Sequence, residues 1–303
     1  LFLIVELSGC HIYKAYERPD VAVTDSLYRQ PVQPTDTASL ASLSWRELFT
    51  DPQLQQLIET GLRNNTDLNI ARLKVKEAEA LLMTSRLSYL PSLSLTPQGN
   101  LTSVDGNKAS KTYNLAASAD WEIDLFGKLL NAKRGAQAAL EQSEAYRQAV
   151  QTQLVATIAN SYYSLLMLDR QLDITRRTAE SWDESVRAMK ALKLAGQATE
   201  MAVAQAEASK LSVDASILSI ERQINEMENS LSTLLGLTPQ EVKRSTLEAQ
   251  QFPDSLATGV PLQLLSRRPD VRQCEAQLAV AYYATNSARS AFYLSLIHIS
   301  EPT

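Results

Sequence analysis

Few side chains in this sequence could do acid–base or nucleophilic chemistry, and their spacing argues against it. Glu122 and Asp124 stand two apart, so on a strand they share one face and could divide general-acid and general-base work. The two histidines, His11 and His298, lie near opposite ends of the chain. The serines lack a paired histidine, and neither HExxH nor P-loop spacing occurs. Two cysteines, Cys10 and Cys274, are too few for a disulfide framework, and with two histidines they leave almost nothing for a metal site. Nine glycines leave phosphate-cradling loops poorly supplied. A net charge of -5 gives no basic surface for nucleic acid. With 45% hydrophobic and 21% charged residues the chain has a core. These features exclude wholesale disorder and point to a non-enzyme with no cofactor, no metal and no nucleic-acid partner.

One residue does invite chemistry. Leu7-Ser8-Gly9-Cys10 follows a short apolar run and resembles the bacterial lipobox, whose cysteine takes lipid on sulfur and becomes the mature N-terminus. The run is far shorter than the ~18 apolar residues of a spanning helix. Residues 1–9 read as a signal-peptide remnant and 10–45 as an extended strap, with Pro19, Pro31 and Pro34. His11 stands where an aspartate would signal inner-membrane retention, which favours the outer membrane.

The acids sit in the most informative stretch. Over 113–125 the odd positions are Tyr113, Leu115, Ala117, Ala119, Trp121, Ile123 and Leu125, while the even positions end in Asp120, Glu122 and Asp124. Residues 93–102 alternate likewise, and Asp105-Gly106-Asn107 supplies a turn. Period-two alternation of this length suits a tilted membrane strand of ~9–11 residues better than a soluble one of ~5–6. The spacing predicts a hairpin over 92–126. Its open edges demand either strands from other subunits or a helical layer covering the apolar face.

The rest reads as long helices. Asp51-Pro52 is an N-cap and first turn, and Asn64-Asn65 mark a kink or break before the helix ends at Pro91. From Leu129 to about Leu194 no proline occurs. Val155, Ile158, Tyr162 and Leu165 form a stripe whose phase slips at Leu168 and Leu172. Gly196 breaks this helix. A second runs from Glu200 to Leu235 with a heptad seam at Val213, Ile217, Ile220, Ile224, Met227, Leu231 and Leu234. The short joint forces an antiparallel pair. The segment 262–293 echoes 59–90 at a constant offset of 203 positions, pairing Leu62 with Leu265, Asp67 with Asp270 and Arg86 with Arg289.

Trp121 to Gly127 (WEIDLFG) resembles the signature of the TolC/OprM outer-membrane efflux channels. Arg268-Pro269-Asp270-Val271 resembles the opening of that family's second repeat, Ala288 to Tyr293 its following helix end, and Gly196 to Ala206 its periplasmic tip. The resemblance implies a mainly α fold. Long antiparallel coiled-coil helices would join two strands per repeat in a trimeric transmembrane β-barrel.

It also implies an outer-membrane channel of a Gram-negative tripartite efflux system, a passive homotrimeric duct for small molecules such as drugs. Its partners would be a periplasmic adaptor, an inner-membrane pump and outer-membrane lipid. Cys10 would carry the lipid; Tyr113, Leu115, Trp121 and Ile123 would face lipid. Asp120, Glu122 and Asp124 would face the lumen, either biasing transit toward cations or merely solvating a wet wall. Gly196, Thr199 and Glu200 would form the tip.

The expected layout is a periplasmic helix over 46–91, the hairpin over 92–126, a helical hairpin over 127–236, a linker over 237–261 and the second repeat's first helix over 262–293. Two departures from the family are Ala202, where aspartate is usual, and Leu294, where proline is usual. Residues 294–303 read as a foreign tail on a fragment. The competing reading is a structural or adhesive coiled-coil surface lipoprotein without transport.

Overall fold

The computed structural model describes residues 13–18, 44–102, 110–251 and 267–293. Cys10, the turn at Asp105-Gly106-Asn107, both histidines and residues 294–303 lie outside these. The order of elements is α1 (Trp45–Leu48), α2 (Pro52–Asn64), α3 (Thr66–Leu87), β1 (Ser92–Thr102), β2 (Ser110–Asp120), α4 (Lys128–Leu194), α5 (Glu200–Leu234), a 3-10 turn (Leu247–Ala249) and α6 (Pro269–Ser290). No described helix is long and apolar enough to cross a membrane. Two compact units divide these residues: a helical unit from 44–70 and 148–251, and a strand-bearing unit from 13–18, 71–102, 110–147 and 267–293.

In the helical unit Asp51 caps α2, its Oδ1 accepting the Gln53 N–H at 2.8 Å, with Pro52 at the first helical position. The break at Asn65 is real. Its Nδ2 donates to Leu234 O and its Oδ1 accepts from Leu68 N, both at 2.9 Å. One side chain thus satisfies a carbonyl freed at the end of α5 and an N–H freed at the start of α3. The heptad seam of α5 buries Ile220, Ile224 and Leu231, and these pack with Ile158, Tyr162, Leu165 and Leu166 of α4 and with Leu54 and Ile58 of α2. Ion pairs Arg176–Glu221, Lys190–Glu207 and Lys210–Asp183 keep a nearly constant sum of residue numbers, as two antiparallel helices require.

Both ends of this hairpin are closed by the same device. Gly196 and Gly236, at φ 75° and 68°, follow helix ends as left-handed residues that any Cβ would strain. The N–H of the next residue returns to a carbonyl five back, Gln197 to Leu192 and Leu237 to Ser232, both at 2.9 Å.

The strand-bearing unit has a thinner core, mostly alanine: Ala71, Ala78, Ala138, Ala145, Ala276 and Ala279, with Leu82 and Leu129. The internal repeat is structural. Helix α6 begins and ends 203 positions after α3, each being 22 residues long. Their buried faces differ, however. Helix α3 buries Leu68, Ala71, Ala78 and Leu82, whereas α6 buries Ala276, Ala279, Asn286 and Ser290. In α6 the buried set lies about five positions further along than in α3.

Candidate functional site

Strands β1 and β2 pair antiparallel through eleven residue pairs from Ser92↔Asp120 to Thr102↔Ser110. The register joins odd to odd and even to even. Leu93↔Ala119, Leu95↔Ala117, Pro97↔Leu115 and Gly99↔Tyr113 share one face. Ser94↔Ser118, Gln98↔Asn114 and Asn100↔Thr112 share the other. A slip of one residue would have mixed the faces. The polar face is tied across the strands by Ser94 Oγ and Ser118 Oγ, 2.7 Å apart. The apolar face is bare: Leu93 is 81% exposed, Tyr113 79% and Leu115 68%. Of the open alternatives for that face, a helical layer from this chain is absent among the described residues.

The predicted strand runs too far. Pairing stops at Asp120, and residues 121–126 form no strand although their alternation continues. The reason is that the acids serve the next helix. Asp124 Oδ2 accepts the Leu130 N–H at 2.7 Å, satisfying an orphan donor at the N-terminus of α4. Glu122 Oε1 pairs with Lys128 Nζ at 2.8 Å. Neither carboxylate therefore sits on the strand face that motivated its assignment, and each is already engaged by a neighbour in α4. Trp121 Nε1 donates to Tyr89 O at 3.1 Å, and Trp121 and Ile123 are both exposed beyond the strand. Tyr113 and Leu115 lie on the odd-numbered face of the sheet and Asp120 on the even-numbered one.

At the other candidate region, Thr199 caps α5 by accepting the Ala202 N–H at 3.3 Å. Glu200 pairs with Lys193 across the turn. Leu194 and Met201 flank Gly196 and are 90% and 80% exposed. The departure at Ala202 is thus occupied by a backbone cap.

Sequence reading missed two polar clusters in the helical unit. Asp51 Oδ2 accepts from Tyr162 OH at 2.6 Å, from Gln250 Nε2 at 2.8 Å and from Ser245 Oγ. Burial alone would raise the Asp51 carboxyl, but hydrogen bonds from Ser245, Tyr162, Gln250 and the Gln53 N–H outweigh it and hold it at about 2. Burial, with the Asp51 carboxylate beside it, pushes the Tyr162 phenol up. Nearby, Arg244 bridges Asp169 of α4 and Glu228 of α5, with Nη2 2.8 Å from Asp169 Oδ1. Those hydrogen bonds raise the guanidinium pKa despite burial. Tyr162 stands in the apolar stripe of α4 and Asp51 is the N-cap of α2, so each serves a second purpose here. The one available signal was a tyrosine in an aliphatic seam, which demands a partner for its hydroxyl. Among the described residues no group of three or more His, Cys, Asp or Glu is placed to hold a metal ion.

Comparison with known proteins gives a consistent set of relatives. The family described as "Outer membrane efflux protein" matches residues 57–237. The probable efflux pump outer membrane protein TtgC of Pseudomonas putida is 30% identical over 96% of this chain and 62% of its own length. The probable outer membrane lipoprotein SilC of Salmonella typhimurium is 30% identical over 96% of this chain and 64% of its own. The open state of the Neisseria gonorrhoeae MtrE outer membrane channel superposes with a TM-score of 0.79 at 28% identity, covering 93% of this chain and 64% of that one. The chain therefore spans a little under two thirds of the length of the relatives it matches.

Proposed function

The chain belongs to the outer membrane efflux protein family, and from that premise we propose that it is the outer-membrane channel component of a tripartite efflux system. In this reading it works as a homotrimer. It meets a periplasmic adaptor and an inner-membrane pump, and conducts small molecules such as drugs passively, without catalysis. The observation that carries the reading is the hairpin: two eleven-residue strands with an apolar face from Leu93 to Leu101 and Tyr113 to Ala119, bounded by Lys111 at its far end, a polar face opposite, and no cover on either among the described residues. Strand edges are not viable in lipid, so strands from other repeats and other copies must close the ring. Tyr113 and Leu115 then face lipid, and the hydroxyl and amide face ending at Asp120 lines the water-filled passage.

A lumen role for Glu122 and Asp124 loses its strand-based argument, so Asp120 carries the charge of the polar face. Gly196, Thr199 and Glu200, beside exposed Leu194 and Met201, form the end that meets the adaptor. Cys10 takes the lipid anchor, a reading supported by the lipoprotein SilC. The test is conductance of the purified product of the complete gene in planar bilayers. Trimers with discrete ion-conducting steps support the duct. Trimers that insert and never conduct support the adhesive alternative. Cys10→Ser should abolish acyl labelling, and retained label would refute the lipid assignment.

A further inference from the structure

The N-terminal strap lies against one helix of the strand-bearing unit through contacts of distinct kinds. Tyr282 OH donates to Lys14 O at 3.1 Å, and the Tyr16 N–H donates to Tyr283 OH, also at 3.1 Å. The Tyr16 ring meets Tyr282 edge-on, with centroids 5.8 Å apart, and Tyr282 meets Tyr283 likewise at 5.5 Å. Arg18 Nε lies 3.4 Å from Glu275 Oε1. The contacts run antiparallel to α6: Arg18 by Glu275, Lys14 and Tyr16 by Tyr282 and Tyr283. Four strap residues span roughly 13 Å when extended, and the seven helical positions from Glu275 to Tyr282 span about 10 Å.

We infer that the Tyr282–Tyr283 step of α6, with Glu275, is a docking site for the strap residues Lys14–Arg18, and that it sets the direction in which the chain delivers its lipidated N-terminus. Both tyrosine hydroxyls engage backbone groups, so they hold any extended segment. The Arg18–Glu275 pair chooses the register. The strap is aimed along α6 toward its C-terminal end. Cys10 is four residues before Lys14, a reach of at most about 14 Å. The remainder of α6 from Tyr282 to Ser290 is about 12 Å long. At that end Phe292 is 92% exposed and Tyr293 stacks on Phe126 at 4.9 Å. Exposed aromatic rings of this kind suit a membrane–water interface. The docking site thus brings the acyl chains to the level where they can enter lipid. The directional role rests on the proposed lipidation of Cys10; the docking does not.

The Tyr16 hydroxyl is buried and has no partner among the described residues. The strap therefore uses the ring of Tyr16, not its hydroxyl, and Tyr16→Phe should dock as well as the native residue.

Trypsin reads the docking directly, because the Lys14–Ala15 bond lies inside the docked segment, whereas Pro19 shields the bond after Arg18. Outer membranes carrying the intact lipoprotein would be digested, with the new N-terminus at Ala15 followed by mass spectrometry and acyl label measured in parallel. The native strap should be cut slowly. Tyr282→Phe/Tyr283→Phe, which removes two hydrogen bonds, should be cut roughly tenfold faster at unchanged trimer content. Tyr16→Ala should be cut faster and Tyr16→Phe no faster than native. Should the double variant not assemble, Tyr16→Ala alone decides, since it alters only the strap. Equal cutting of native and Tyr16→Ala protein would overturn the docking site. Loss of acyl label with protection intact would overturn the lipid reading and leave the docking site standing.

Discussion

The helical unit and the hairpin answer burial in opposite ways. In the helical unit Ile158, Leu165 and Tyr162 have no exposed surface, and the polar atoms of Asp51, Tyr162, Ser245, Arg244 and Glu228 find partners within the same chain. In the hairpin every described side chain is exposed, leucines included. One region closes its own hydrogen bonds and buries a core of its own, while Leu194, Met201 and Leu218 stay exposed on its outside. The other, among the described residues, offers two bare faces and two open edges. A helical hairpin satisfies its backbone internally, whereas a two-stranded sheet cannot.

Variants can break this contrast. The largest effect belongs to Arg244→Ala, which strands Asp169 and Glu228 against each other. It should cost the helical unit about 3–4 kcal/mol in chemical denaturation followed by circular dichroism. Ile158→Ala, a cavity in the same core, should cost about 3 kcal/mol by the same measurement. If either left stability unchanged, the unit would not be self-sufficient. Leu115→Arg sharpens the other side. At the middle of β2 it should cost about 2–4 kcal/mol in lipid, read as loss of assembled trimer in outer membranes, while the helical unit's own unfolding midpoint holds still.

The next effect is a pH dependence. The Asp51 carboxyl is depressed in the folded chain, so its stabilisation is complete above its unfolded pKa near 4 and fades as pH falls toward about 2. On the order of 2 kcal/mol should disappear over that window. Asp51→Asn should flatten the profile in acid denaturation. The smallest effect is Glu122→Gln. It removes a partly exposed ion pair with Lys128, and a change below about 1 kcal/mol is expected. A large loss of conductance in that variant would return Glu122 to the channel wall.

Local rules made much of this legible. The α5 seam, the antiparallel turn at Gly196, the break at Asn65 and the hairpin register each follow from periodicity or a turn residue, and each is set by neighbours in sequence. The offset of 203 relates the observed bounds of α3 and α6, though the helix expected over 262–293 is the shorter Pro269–Ser290. Reading failed where one residue serves two masters. Trp121 to Leu125 alternate like a strand, yet Asp124 is drawn to the α4 N-terminus six residues away. The Asp51–Tyr162 cluster joins residues 111 positions apart, and nothing in a periodic pattern announces such a meeting. The differing buried faces of α3 and α6 depend on what each packs against, which the shared pattern does not encode.

The central claim is that the two faces of the hairpin meet lipid and water. Single cysteines at 113–118, in a Cys274→Ser background that keeps Cys10, would be exposed in intact outer membranes to a charged, membrane-impermeant thiol reagent. The account predicts fast labelling at Asn114, Ala116 and Ser118 and protection at Tyr113, Leu115 and Ala117. Uniform labelling, or protection that does not alternate, would contradict it.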